Sequence, residues 1–163
     1  ETGKMVLAIR VGSGPDGDGL LGLTAQGARD SQFGTNAGWL DLELEEGTRL
    51  QSLESQSDGR IVIAGTLDAN GTQPAGFFVA RVLANGILDP SYDDNGVNRI
   101  EFDLVANGAD RAYASALSGG RLVVVGEAER SVPEPGFAVL RIQTALIFRD
   151  GFERGSAGGW SGE

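Results

Sequence analysis

One phrase recurs along this 163-residue chain, and it governs what the chain can fold into. Asp58-Gly59-Arg60-Ile61-Val62-Ile63-Ala64-Gly65 returns as Gly119-Gly120-Arg121-Leu122-Val123-Val124-Val125-Gly126, and in weaker form as Thr2-Gly3-Lys4-Met5-Val6-Leu7-Ala8. Each copy has a glycine turn, one basic residue and a run of apolar, largely β-branched residues. That order marks a buried strand entered from a tight turn. The chain reads as a repeat protein whose units bury their faces against one another.

The spacing between matching glycines is 56 residues from Gly3 to Gly59 and 61 from Gly59 to Gly120. Such a period, with about four strands per unit, predicts all-β, β-propeller-like blades of antiparallel strands. The expected units are about 3–58, 59–119 and 120–143 within a repeated domain 1–143, followed by a C-terminal strand and glycine-rich tail over 144–163. Closed propellers have ~4 to 8 blades, so two and a half units imply completion by oligomerisation or by further blades. Glu1-Thr2-Gly3-Lys4 begins inside a repeat, which implies sequence upstream or a processed fragment.

Within repeat one the expected strands are Met5 to Ile9, Leu20 to Leu23, Trp39 to Leu44 and a fourth, Arg49 to Ser55, that closes the unit. Repeat two restates the order with Ile61 to Ala64, Phe77 to Val82, an alternating stretch around Ile100, Phe102 and Leu104, and Arg111 to Leu117. Gly65 is read as the turn ending its strand, and Asn85-Gly86 as the hairpin dipeptide that tolerates positive φ. Repeat three gives Leu122 to Val125 and Phe137 to Ile142. About ten strands are expected in all.

Composition narrows the chemistry. The net charge of −10 repels phosphate backbones and anionic lipid, so neither nucleic acid nor membrane is expected as a partner. With no cysteine and no histidine there is no thiol nucleophile, no Ser-His relay, no imidazole metal site and no disulfide. Apolar residues make up 40%, enough for a core, and the 26 glycines end apolar runs as turn residues do.

The stretch from Asp58 through Phe77-Phe78-Val79-Ala80-Arg81-Val82, Asn85-Gly86, Leu88-Asp89-Pro90-Ser91-Tyr92 and Asn95-Gly96-Val97 resembles the bacterial delta-60 repeat. That resemblance covers residues 3 to 142, and implies a propeller-like, mostly extracellular or surface protein with no family catalytic residues. Repeat one departs from the pattern with Arg29 at the position of Leu88, and with Ile9-Arg10 at Gly65. The tail from Ile147-Phe148-Arg149-Asp150-Gly151-Phe152-Glu153 to Trp160 is similar to a C-terminal segment of exported gammaproteobacterial proteins. An extracellular or cell-surface location is implied.

Several residues invite a chemical reading. Gly12-Ser13-Gly14 lacks the helix that a phosphate cradle needs. Asp16-Gly17-Asp18-Gly19 begins like a calcium loop, but its twelfth position is Gly27 where a bidentate Glu is required. No cofactor is expected, with Ca²⁺ the only candidate, at that loop or at Asp89, Asp93, Asp94 and Asn95. Asp30 and Asp89 recur at one repeat position, as caps of local backbone N–H groups. Lys4, Arg60 and Arg121 recur as charges flanking a strand entry. Trp39 and Tyr113 are expected to pack.

These readings give a non-enzymatic secreted or cell-surface binding or structural module. It would form a homo-oligomer or meet neighbouring blades, and take a carbohydrate or protein ligand on the loops at one end. Asp16, Asp18, Asp93 and Asp94 are its expected ligand contacts, with no catalytic residue. The alternative is a carboxylate-dependent polysaccharide hydrolase or lyase, using facing pairs among Glu43, Glu45, Glu101 and Asp103 at ~5 to 9 Å.

Overall fold

The computed structural model describes residues 3–9, 18–42, 44, 48–69, 73–93, 95–102, 104–131 and 136–144. Ten strands and no helix lie among them: β1 (Met5–Ile9), β2 (Gly19–Leu23), β3 (Trp39–Asp41), β4 (Arg49–Ser55), β5 (Ile61–Leu67), β6 (Gly76–Val82), β7 (Val97–Ile100), β8 (Asp110–Ser118), β9 (Arg121–Ala128) and β10 (Gly136–Gln143). They form three antiparallel sheets of propeller type, ordered β1-β2-β3, β4-β5-β6-β7 and β10-β9-β8.

The sheets are out of step with the sequence repeat. Arg49–Ser55, expected to close the first unit, instead opens the second sheet by pairing with β5, and β8 likewise opens the third by pairing with β9. The physical reason lies in the turns. Gln56 to Arg60 is a tight hairpin, in which the Gly59 amide donates to the Gln56 carbonyl, and Gly119-Gly120 is a two-residue turn with both φ positive. Such short connections return the chain onto the strand it has just left.

The second sheet lies between the other two, so its middle strands are buried on both faces. Alternation sends Ile61, Ile63, Leu67, Phe78, Ala80 and Val82 towards Leu20 and Leu40 of the first sheet and towards Phe33 and Leu42 in the segments flanking its third strand. The intervening Val62, Ala64, Phe77 and Val79 meet Ala112, Leu122, Val124 and Ala138 of the third. This two-sided burial explains why the β5 and β6 sequences read as continuous apolar runs.

Gly65 is not a turn. It sits inside β5 opposite a bulge in β4 between Leu50 and Ser52, and a Cβ there would stand 2.0 Å from the Arg49 carbonyl oxygen. Gly126 repeats the arrangement in β9, opposite the β8 bulge at Ala112 and Ala114, with its Cβ position 2.0 Å from the Arg111 carbonyl oxygen. Both glycines are close-approach positions that let the bulged strand lie against its neighbour.

Two further strand expectations were too long. β3 ends at Asp41 and β7 at Ile100, and Leu104 is exposed. Tyr113, expected to pack, lies at the β8 bulge and is 54% exposed. Trp39 does pack, with its ring against the backbone of Gly19.

Candidate functional site

The segments Asp30 to Gly38 and Asp89 to Gly96 fold alike. In one the Phe33 amide donates to the Asp30 carbonyl and the Gly38 amide to the Phe33 carbonyl; in the other Tyr92 does so to Asp89 and Gly96 to Tyr92. Each aspartate caps its own turn as expected, Asp30 accepting from the Gln32 amide at 3.1 Å and Asp89 from the Ser91 amide at 3.0 Å.

The aspartates also hold the recurring bases, a pairing that the strand-entry reading missed. Lys4 Nζ lies 2.7 Å from Asp30, and Arg60 Nε lies 3.3 Å from Asp89. Co-recurrence of one base and one acid in each of the first two units was the signal in the sequence that could have revealed it.

The second unit adds a buried centre. Arg81 is 1% exposed, donates from Nε to Asp89 at 2.9 Å and from Nη2 to the Ser91 hydroxyl at 3.1 Å, and lies over the Tyr92 ring at 4.9 Å. Its Nη1 donates to the Thr144 carbonyl at the end of β10, and Gln56 donates to the Thr144 hydroxyl at 3.0 Å, so the centre ties the second sheet to the third. In the first unit Gly22 stands at the Arg81 position, and a Cβ there would come within 2.4 Å of the Phe33 ring. Each unit thus matches an aromatic to what lies beneath it.

Burial pushes the Asp89 carboxyl up, but hydrogen bonds from Ser91 and the Arg81 guanidinium outweigh it and hold the group below its ordinary range. The Lys4 hydrogen bond, aided by the Gln32 amide, does the same for Asp30. Burial pushes the Tyr92 hydroxyl up to about 12. Asp89 is thus held as an anion and Tyr92 as a neutral phenol, each suited to locking a fold and neither placed to exchange a proton near neutral pH.

Of the expected ligand contacts, Asp16 and Asp94 lie outside the described residues. Asp18 is buried and accepts from the Leu50 amide at 2.8 Å, tying the entry of β2 to the entry of β4. Asp93 follows Tyr92 with φ at 41°. Strand direction separates the two, because the β1 to β2 connection opens at one end of the sheets and the β6 to β7 connection at the other. Asp18 and Asp93 therefore stand towards opposite ends of the sheets.

Among the described residues no group of three or more His, Cys, Asp or Glu could hold a metal ion. Glu43, Glu45 and Asp103 lie outside the described residues, and Glu101 accepts from Arg99 Nε at 2.7 Å.

Apart from Thr144, the residues of the charged centre fall within one recognisable segment. Residues 56–92 match a family model described as a domain of unknown function (DUF5122) beta-propeller. The matched segment runs from the Gln56 turn to Tyr92, and so contains Arg60, Arg81 and Asp89. No curated protein and no solved structure matches the chain.

Proposed function

We propose that this chain is a non-enzymatic, secreted or cell-surface binding module whose propeller-type blades present a ligand surface at one end. The observation that carries the reading is the engagement of the recurring charged residues with one another. Asp89 accepts from Ser91 and Arg81 and faces Arg60, and Asp30 likewise faces Lys4, so these carboxylates are committed to the fold at the end bearing the β2 to β3 and β6 to β7 connections.

Recognition is then assigned to the opposite end, where the β1 to β2, β5 to β6 and β9 to β10 connections differ in length and composition between units. Asp16 is the proposed contact there, with Asp18 holding the loop through the Leu50 amide. Asp93, at the other end, is read as a turn residue. The Asp16 carboxylate suits a carbohydrate with hydroxyl or amine donors.

The test is binding of the purified chain to a panel of immobilised neutral and amine-bearing polysaccharides, with soluble products followed by chromatography. The reading expects retention without product, weakened at least tenfold by Asp16→Asn and unchanged by Asp93→Asn. Product formation, or dependence on Asp93 rather than Asp16, would overturn it.

A further inference from the structure

The two outer faces of the three-sheet stack are built as halves of the junctions already present inside it. On the third sheet, Val123, Val125, Phe137 and Val139 point away from the second, with Phe137 80% and Val139 51% exposed. Repeat alignment places these four on Val62, Ala64, Phe77 and Val79, the residues of the second sheet that the third sheet covers.

The first sheet shows the reverse. Met5 and Leu7, 43% and 45% exposed, stand where Ile61 and Ile63 stand, and Leu21 and Leu23 stand where Ala80 and Val82 stand. Those four residues of the second sheet are the ones covered by the first. Each chain therefore carries one face suited to receive a following blade and one suited to receive a preceding blade.

We infer that the third sheet of one chain docks face to face on the first sheet of a second copy, and that two copies close into a six-bladed ring. Because the two faces differ, the contact is head to tail, and such a contact either closes into a ring or grows without limit. Closed propellers have ~4 to 8 blades, and two copies of the three described sheets give six. Arg141 extends the correspondence, standing where Arg81 reaches across the existing junction to the Thr144 carbonyl. The inference rests on the faces alone and does not need the ligand reading to hold.

The experiment is light scattering after size exclusion over a range of concentrations. The expected mass is twice the 17.0 kDa of one chain, constant with concentration. Leu7→Glu and Val139→Arg should each give a folded monomer by circular dichroism, since both sites are half exposed, with Phe137→Arg replacing Val139→Arg should that variant not fold. Mixing the two variants should restore a dimer, because one junction then joins two intact faces and the other joins faces bearing added charges of opposite sign. A monomer at every concentration, a dimer insensitive to Leu7→Glu, failure of the mixture to associate, or mass that climbs with concentration would each overturn the closed head-to-tail ring.

Discussion

Asp89 and Asp30 occupy one repeat position, yet they should respond very differently to substitution. Asp89 faces an arginine buried to 1% exposure, whereas the lysine facing Asp30 is half exposed. Asp89→Asn keeps the shape but strands the Arg81 charge, and removing one partner of a buried pair costs about 3–5 kcal/mol. Urea unfolding should show that loss for Asp89→Asn and a clearly smaller one for Asp30→Asn. Equal losses would mean that the Arg81 centre does not hold the second sheet to the third.

The same carboxylates set the pH dependence. Both are held below the ordinary carboxylate value near 4, so the stability they contribute is present above about pH 4 and is lost as pH falls through the lowered values. The urea midpoint of the native chain should therefore drop on acidification below about pH 4, and Asp89→Asn should flatten that drop. An unchanged acid limb would remove Asp89 from the account.

A third residue-scale expectation concerns backbone strain. Ala37 has φ at 42°, and Asn95 holds the equivalent position with φ at 52°. Asparagine tolerates that region better than alanine does, so Ala37→Asn should stabilise by about 0.5–1 kcal/mol, read as a higher melting temperature.

At the scale of strands and turns, the glycines divide into two kinds that their sequence context hides. Gly27 has φ at 81° with open space around its Cβ position, while Gly65 meets a carbonyl oxygen at 2.0 Å. Gly27→Ala should cost only the backbone penalty of about 1–2 kcal/mol. Gly65→Ala should cost more, because the bulged β4 backbone has to move, at or above the upper end of the about 1–3 kcal/mol typical of overpacking. Thermal melts of the two variants decide the order.

These elements show what the sequence could reveal. The strands β1, β2, β4, β6, β8 and β10 were legible, because apolar runs between turn signals are local properties. The pairing of Arg49–Ser55 with β5 was not, since both its neighbours in sequence are strands and only the tightness of the Gln56 to Arg60 hairpin selects one. Gly65 was misread for a related reason. A glycine after an apolar run looks like a turn, and its close approach to Arg49 belongs to the partner strand. At the candidate site, the caps on Asp30 and Asp89 were legible as local bonds, while Arg81 looked like one more residue in an apolar strand. The separation of Asp18 from Asp93 follows from strand direction, which composition does not encode.

For the whole molecule, the account rests on three consecutive sheets stacked face to face, with β4 and β8 meeting between the second and third. The Ser52 and Ser115 hydroxyls, one on each of those strands, are 2.6 Å apart. The chain has no cysteine of its own, so a pair placed there can be read without interference. The deciding measurement is thiol titration of Ser52→Cys with Ser115→Cys after mild oxidation of the folded protein. The stack predicts a disulfide within one chain and no free thiol, because the two positions are close enough for the bond to form with little backbone movement. Two persistent free thiols, or crosslinks only between chains, would contradict the stacked-blade fold.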